Sequence, residues 1–178
     1  MEPGVRRFDI EGLIEITPAR LSDRRGLFAE AYHQARYAEL GIHDTFIQDN
    51  ISVSACGVLR GLHFQKTKPQ AKLVSVLAGS AFDVVVDLRP GSPSYGRWAS
   101  VTLSAAIGNQ LYVPAGFAHG FYALEDGTLC HYKCSAYYDK YDESGIRWDD
   151  PELAIAWPGN PAILSPKDAA LPFLKELL

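Results

Sequence analysis

From Gly12 to Tyr138 the chain is written in short apolar runs separated by turn residues. "GLIEITPA", "NISVSACGVL", "KLVSVLAG", "SAFDVVVDL", "RWASVTLSA", "QLYVPAG", "AHGFYAL" and "TLCHYKCSAYY" follow one another. Runs of roughly four to nine residues, rich in Val, Leu, Phe and Tyr, punctuated by Gly79, Pro90-Gly91, Gly108 and Asp126-Gly127, predict an antiparallel sandwich or barrel. Period-two alternation carries finer information. In "TLCHYKC" it puts Cys130, Tyr132 and Cys134 on one face, and in "KLVSV" it puts Lys72 beside Val74 and Val76. Helical patterning is confined to two places. "FAEAYHQARYAELG" reads as a short helix closed by Gly41, and "SPKDAALPFLKELL" as another that Pro172 interrupts. No repeat, low-complexity tract or linker is visible, so residues 1–178 are expected to form one all-β domain.

Composition narrows the class. The 178 residues are 47% hydrophobic with a formal net charge of -4, enough to bury a core. With no Lys/Arg run or basic stripe, a nucleic-acid surface is not expected. No signal-peptide pattern and no 18-residue apolar stretch occur, so a cytoplasmic protein without a membrane span is expected. On a strand, Cys130 and Cys134 would stand roughly 13 Å apart, beyond the roughly 7 Å limit for a disulfide. The cysteines are therefore read as reduced core thiols.

Two spaced motifs carry the chemistry. Gly57, five residues and His63 form one; Gly108, five residues, Pro114, then Gly116 and His119 form the other. Together they resemble the paired motifs of cupin jelly rolls, which implies a double-stranded β-helix barrel with short peripheral helices. In metal-binding cupins the first motif continues to a second histidine and a glutamate. Here Gln65 and Gln70 stand in those places, and neutral amides are poor transition-metal ligands. Only His63 and His119 remain, fewer than the three protein ligands usual for a catalytic zinc. No metal and no other cofactor is expected, and His63 is left free to act as a base.

Longer stretches sharpen the resemblance. "DRRGLFAE", "FIQDNISVS", "GVLRGLHFQ", "YVPAGFAHGFYAL", the long "YKCSAYYDKYDESGIRW" and "LSPKDAALP" occur in order and resemble the dTDP-4-dehydrorhamnose 3,5-epimerase family. The family inverts the carbons flanking the ketone of a dTDP-4-keto-6-deoxy sugar. The resemblance implies His63 as base, Asp168 as its carboxylate partner, Tyr132 as the acid on the opposite face and Lys72 as the cation at the enolate oxygen. It further implies Arg25, Arg60 and Lys167 at the diphosphate, and Glu30, Gln48, Asp49, Asn50 and Glu143 as polar contacts. Phe28 and Tyr138 would meet the substrate, Tyr138 by stacking on thymine, while His119 would hydrogen-bond the sugar. A homodimer is implied as well, in which the segment of about residues 1–45, with Arg25, Phe28 and Glu30, packs on or swaps with the partner. Phe64 stands where many members carry tyrosine, a change expected to lie outside the pocket.

Taken residue by residue, blander readings compete. Asp168 could be a helix cap, Lys72 a snorkelling strand-end lysine, and His63 a hydrogen-bonded core histidine. Arg60 and His63 also have opposite parity on a regular strand, so both reach one site only if Gly61 permits a bulge or Arg60 works from the rim. At the level of function, three rivals are a monoepimerase of an unusual deoxysugar pathway, a metal-dependent cupin oxygenase, and a sugar-binding module without activity.

Overall fold

The computed structural model describes residues 2–177. Two antiparallel sheets face each other. The first contains β1 (Gly4–Arg7), β2 (Ile14–Thr17), β5 (Gln48–Ser54), β7 (Lys72–Ala78), β10 (Gln110–Val113) and β12 (Thr128–Cys134), in the spatial order β1-β2-β10-β7-β12-β5. The second contains β6 (Leu59–Gln65), β8 (Ser80–Asp87), β9 (Trp98–Ser104), β11 (Phe117–Ala123) and β13 (Glu143–Gly145), ordered β13-β6-β11-β8-β9. Neighbours in space are seldom neighbours in sequence. Chain order therefore alternates between walls, as a jelly roll requires.

Every apolar run named above becomes a strand because one face of each finds the interior. Val74, Val76 and Cys130 from the first sheet meet Val85, Val101, Phe117 and Phe121 from the second, and Tyr132 packs on this cluster. A further cluster on the outer face of the second sheet gathers Leu62, Val84, Val86 and Ile146 beneath Leu153 and Leu174. This explains why "DVVVD" reads as a continuous apolar run: both faces of β8 are covered.

The structure departs from the sequence reading in two places, the first helix and one cysteine. The predicted helix over residues 28–41 shortens to α1 (Gln34–Glu39), since Phe28 and Ala29 belong to β4 (Gly26–Ala29), which forms a hairpin with β3 (Arg20–Asp23). His33, in extended conformation, supplies the N-cap by accepting from the Arg36 amide, which fixes the start of the helix there. At the C-terminal end α2 (Pro166–Ala169) and a 3-10 turn (Leu174–Glu176) flank Pro172, the interruption that proline imposes. Cys130 and Cys134 are buried free thiols, but Cys56 is exposed because it lies in the turn after β5.

Candidate active site

The His63–Asp168 pair is assembled from two elements. His63 lies on the inner side of β6, and α2 carries Asp168 to it. That helix is a single turn, but its start is well defined: Ser165 accepts from the Asp168 amide at 3.0 Å, and Pro166 occupies the first turn. Asp168 Oδ1 stands 2.7 Å from His63 Nε2, and Oδ2 accepts from the Gly61 amide at 3.4 Å. Burial would raise the Asp168 carboxyl, but the bond from His63, reinforced by Gly61 and Ser165, holds it below the usual range. An ionised carboxylate accepts only, so Nε2 is the protonated ring nitrogen. Nδ1 faces the cavity side, 3.9 Å from Glu143 Oε1. The blander reading of Asp168 as a mere cap is thus set aside: it is capped by Ser165 while its carboxylate serves the histidine.

The facing wall carries Tyr132 and Lys72. Tyr132 on β12 pairs with Val74 on β7, and Cys134 pairs with Lys72, so alternation directs Tyr132 and Lys72 the same way. Burial raises the Tyr132 phenol, and neighbouring Cys134 adds to the effect, so the hydroxyl stays protonated and able to donate. Burial lowers the Lys72 ammonium, opposed by Cys134, Asp83 and Glu143. A buried amine beside a cavity is poised to be stabilised by an arriving anion.

His63, Lys72 and Tyr132 border two adjoining cavities. The outer, about 360 Å³, is flanked by Gln48, Asn50, Tyr138 and Glu143. The inner, about 280 Å³, is flanked by Arg60, His119, Lys167 and Asp168. Arg60 and His63 reach the inner cavity together because the strand is irregular between them. His63 is opposite His119 but Arg60 is opposite Phe121, so the β6–β11 register slips over this interval. Gly61 makes the slip possible: its φ is +117°, and a Cβ there would lie 2.6 Å from Gly120 Cα and 2.8 Å from the His119 carbonyl oxygen. Arg60 Nε is held by Ser54 Oγ at 3.1 Å.

The rim is cross-linked. Gln48 Nε2 donates to Asn50 Oδ1 at 3.0 Å, and Gln48 Oε1 accepts from the Tyr138 amide at 2.8 Å. The Tyr138 phenol donates to Glu143 Oε2 at 2.6 Å, which pushes the phenol up to about 12. Lys167 bonds the same carboxylate oxygen. Burial would raise Glu143, yet the bonds from Lys167 and Tyr138 keep it below the usual range.

Two groups escaped the sequence reading. Asp83, fully buried on β8, sits 2.9 Å from His119 Nε2 and orients that ring; the signal was an acid inside the apolar run "SAFDVVVD". Gln65 and Gln70, read only as failed metal ligands, bond backbone carbonyls of the neighbouring loops. Among the described residues no group of three or more His, Cys, Asp or Glu is arranged to hold a metal.

Several predicted positions lie elsewhere. Asp49 lies outside the cleft of its own chain: with Ile51 and Val53 it occupies the outer face of β5, where Lys133 holds it at 2.8 Å, because alternation gives the cleft only Gln48 and Asn50. Phe64 is corrected. It packs beside Leu62 but also borders the outer cavity. Arg25 and Phe28 belong to the β3–β4 hairpin, apart from the cleft of their own chain, with Arg25 on Asp23 at 2.6 Å and Phe28 exposed. Glu30 is engaged by Arg36 at 2.5 Å.

A carboxylate-backed imidazole on one wall, facing a neutral phenol and a buried ammonium on the other, constitutes the equipment for moving a proton across a carbon next to a carbonyl. Such a jelly roll is a sugar-epimerase scaffold. The family model for dTDP-4-dehydrorhamnose 3,5-epimerase matches residues 7–176. The enzyme of that name from Methanothermobacter thermautotrophicus is 46% identical over 94% of this chain and 92% of the relative. A dTDP-4-dehydrorhamnose 3-epimerase from Streptomyces niveus is also 46% identical, over 97% of this chain and 84% of the relative. Among solved structures, the dTDP-6-deoxy-D-glucose-3,5-epimerase of Legionella pneumophila, in complex with dTDP-4-keto-L-rhamnose, matches with a TM-score of 0.95 and 49% identity, covering 98% of this chain and 94% of that one. The chain belongs to the dTDP-4-dehydrorhamnose 3,5-epimerase family and is an isomerase.

Proposed function

We propose that the protein converts dTDP-4-dehydro-6-deoxy-D-glucose to dTDP-4-dehydro-L-rhamnose, a step of dTDP-rhamnose biosynthesis, without metal or cofactor. His63 Nδ1 removes the proton from the carbon beside the ketone, and Asp168 stabilises the imidazolium so formed. Lys72 meets the enolate oxygen, where a cation in a water-poor cleft is worth most. Tyr132 delivers a proton from the opposite face, and the cycle repeats at the second carbon. Arg60 and Lys167 neutralise the diphosphate, Gln48, Asn50 and Glu143 hold the sugar nucleotide, His119 bonds the sugar, and Tyr138 stacks on thymine. The observation that carries this reading is the 2.7 Å His63–Asp168 contact across the cavity from Tyr132 and Lys72.

The single domain is proposed to act in the cytoplasm as a homodimer. Exposed Leu21, Leu27 and Phe28 on the hairpin and exposed Ile51 and Val53 on the edge strand β5 support that assembly. Arg25, Phe28 and Glu30 would then complete the partner's pocket. A second reading, inversion at one carbon only, is favoured by the Streptomyces niveus relative, a 3-epimerase at 46% identity. Proton NMR of the substrate in deuterium oxide decides: exchange at C3 and C5 with an L-sugar product supports double epimerisation. Exchange at one carbon supports the second reading, and none at either carbon refutes both.

A further inference from the structure

Gln65 is buried (5% exposed), and its amide is fully engaged. Nε2 donates to the Lys68 carbonyl at 2.8 Å and the Tyr137 carbonyl at 3.3 Å, while Oε1 accepts from the Asp139 amide at 2.7 Å. Its two anchor points on the far loop bracket Tyr138. That loop, residues 135–142, lies outside the strands and helices; backbone bonds tie its two ends, at Ser135 and at Asp139–Asp142, while residues 136–138 between them are held by side chains reaching in from Gln48, Gln65 and Gln70. Gln65 is also the register partner of Glu143 on β13. The backbone of residue 65 thus pairs with Glu143, while its side chain holds the segment that carries Tyr138, the other partner of the Tyr138–Glu143 hydrogen bond at the cavity rim.

We propose that Gln65 is a positioning residue for nucleotide binding: its amide fixes the Tyr137–Asp139 backbone so that Tyr138 is preset against Glu143 before the ligand arrives. Only a group with one acceptor and donors on the same planar head meets an N–H and two carbonyls at once. A glutamine stands here because an imidazole or carboxylate could not satisfy all three. Preorganising a loop strengthens binding by removing the ordering that the ligand would otherwise impose. The proton-transfer groups are untouched, since His63 is held by Asp168 and Tyr132 by the opposite sheet.

The inference rests on the proposed dTDP-sugar reading and is tested on the full-length protein with dTDP as probe. Gln65→Met keeps length and bulk but removes all three bonds. Calorimetry is expected to show dTDP binding about tenfold weaker, with KM raised by a similar factor and kcat within about threefold of wild type. Gln65→Glu gives a second handle. Ionised, it faces two carbonyls and should bind dTDP poorly; protonated, it regains a donor and an acceptor. Its affinity relative to wild type should therefore recover as pH falls from about 8 to about 5, through the titration of a carboxyl raised by its surroundings. A folded Gln65→Met variant binding dTDP within twofold of wild type overturns the inference. So does a Gln65→Glu ratio that is flat with pH, and that arm remains decisive if the methionine variant fails to fold. Wild-type protein that binds dTDP but moves no proton would instead refute the proposed reaction alone.

Discussion

Replacing Asp168 by asparagine removes one charge and almost no volume from the base assembly. The carboxylate is 4% exposed and 2.7 Å from His63 Nε2, so its charge is little screened when the imidazole becomes cationic. A hydrogen bond to a charged partner is worth about 1.5–3 kcal/mol net. At about 1.4 kcal/mol per decade of rate, kcat should fall roughly 10- to 150-fold. If the asparagine turns its NH₂ toward Nε2, the ring proton moves to Nδ1, the nitrogen that must be bare. The loss then approaches the roughly 10⁴-fold seen when the acid of a serine-protease triad is so replaced. Asp168 is held below the usual carboxyl range, so the wild-type benefit persists well into mild acid. The assay is deuterium uptake at C3 and C5 by NMR alongside steady-state rates. Wild-type-like kcat, within threefold, would mean that the carboxylate only packs and caps, and that His63 is oriented by something else.

Tyr132→Phe should separate exchange from inversion: His63 still removes and returns a proton on one face, so NMR should show deuterium entering with retained configuration while epimerisation falls at least 10²-fold. Lys72→Met should trade activity for stability. Burial of the ammonium opposes folding at every pH below the unfolded value of about 10.4, so thermal melts should show a gain of about 1–3 kcal/mol while kcat drops about 10²–10³-fold. Asp87 is fully buried, bound by Arg89 at 2.7 Å and by Ser92 and Ser94 at 2.6 Å each, and held far below the usual range. Asp87→Asn should cost about 3 kcal/mol in urea melts at pH 7. The stability from a depressed carboxyl is complete above the unfolded value of about 3.9 and lost as pH falls through the folded value, so the deficit should narrow as pH drops from about 4 toward 2.

Alternation made much of this legible in advance. Cys130, Tyr132 and Cys134 shared a face in the sequence and do so in the fold, and Lys72 is buried with Val74 and Val76 as its pattern implied. The same rule, applied to "QDN", would have excluded Asp49 from the cleft; the family resemblance carried it in against its own parity. Arg60 is the converse case: parity alone would have kept it from the His63 site, and the bulge that the sequence allows at Gly61 is the slip the β6–β11 register shows. The short elements β1, β3, β4 and β13 went unread, since three or four residues are too few to display a period. No local pattern could reveal that Asp83 meets His119, 36 residues away in sequence, nor that Gln65 serves a loop 72–74 residues further on. Those pairings exist only after the walls have closed.

The proposed base and acid are mounted on different sheets: His63 belongs to the five-stranded wall and Tyr132 to the six-stranded one. Packed sheets stand about 10 Å apart, and that spacing is set by what lies between them, here Val74, Val76, Val85, Phe117 and Phe121. The hydrophobic interior thus works as the gauge block of a caliper whose jaws are an imidazole and a phenol. Trimming a core methyl group would narrow or tilt the jaws, and its effect would register as a changed stereochemical ratio of products before it registered as unfolding.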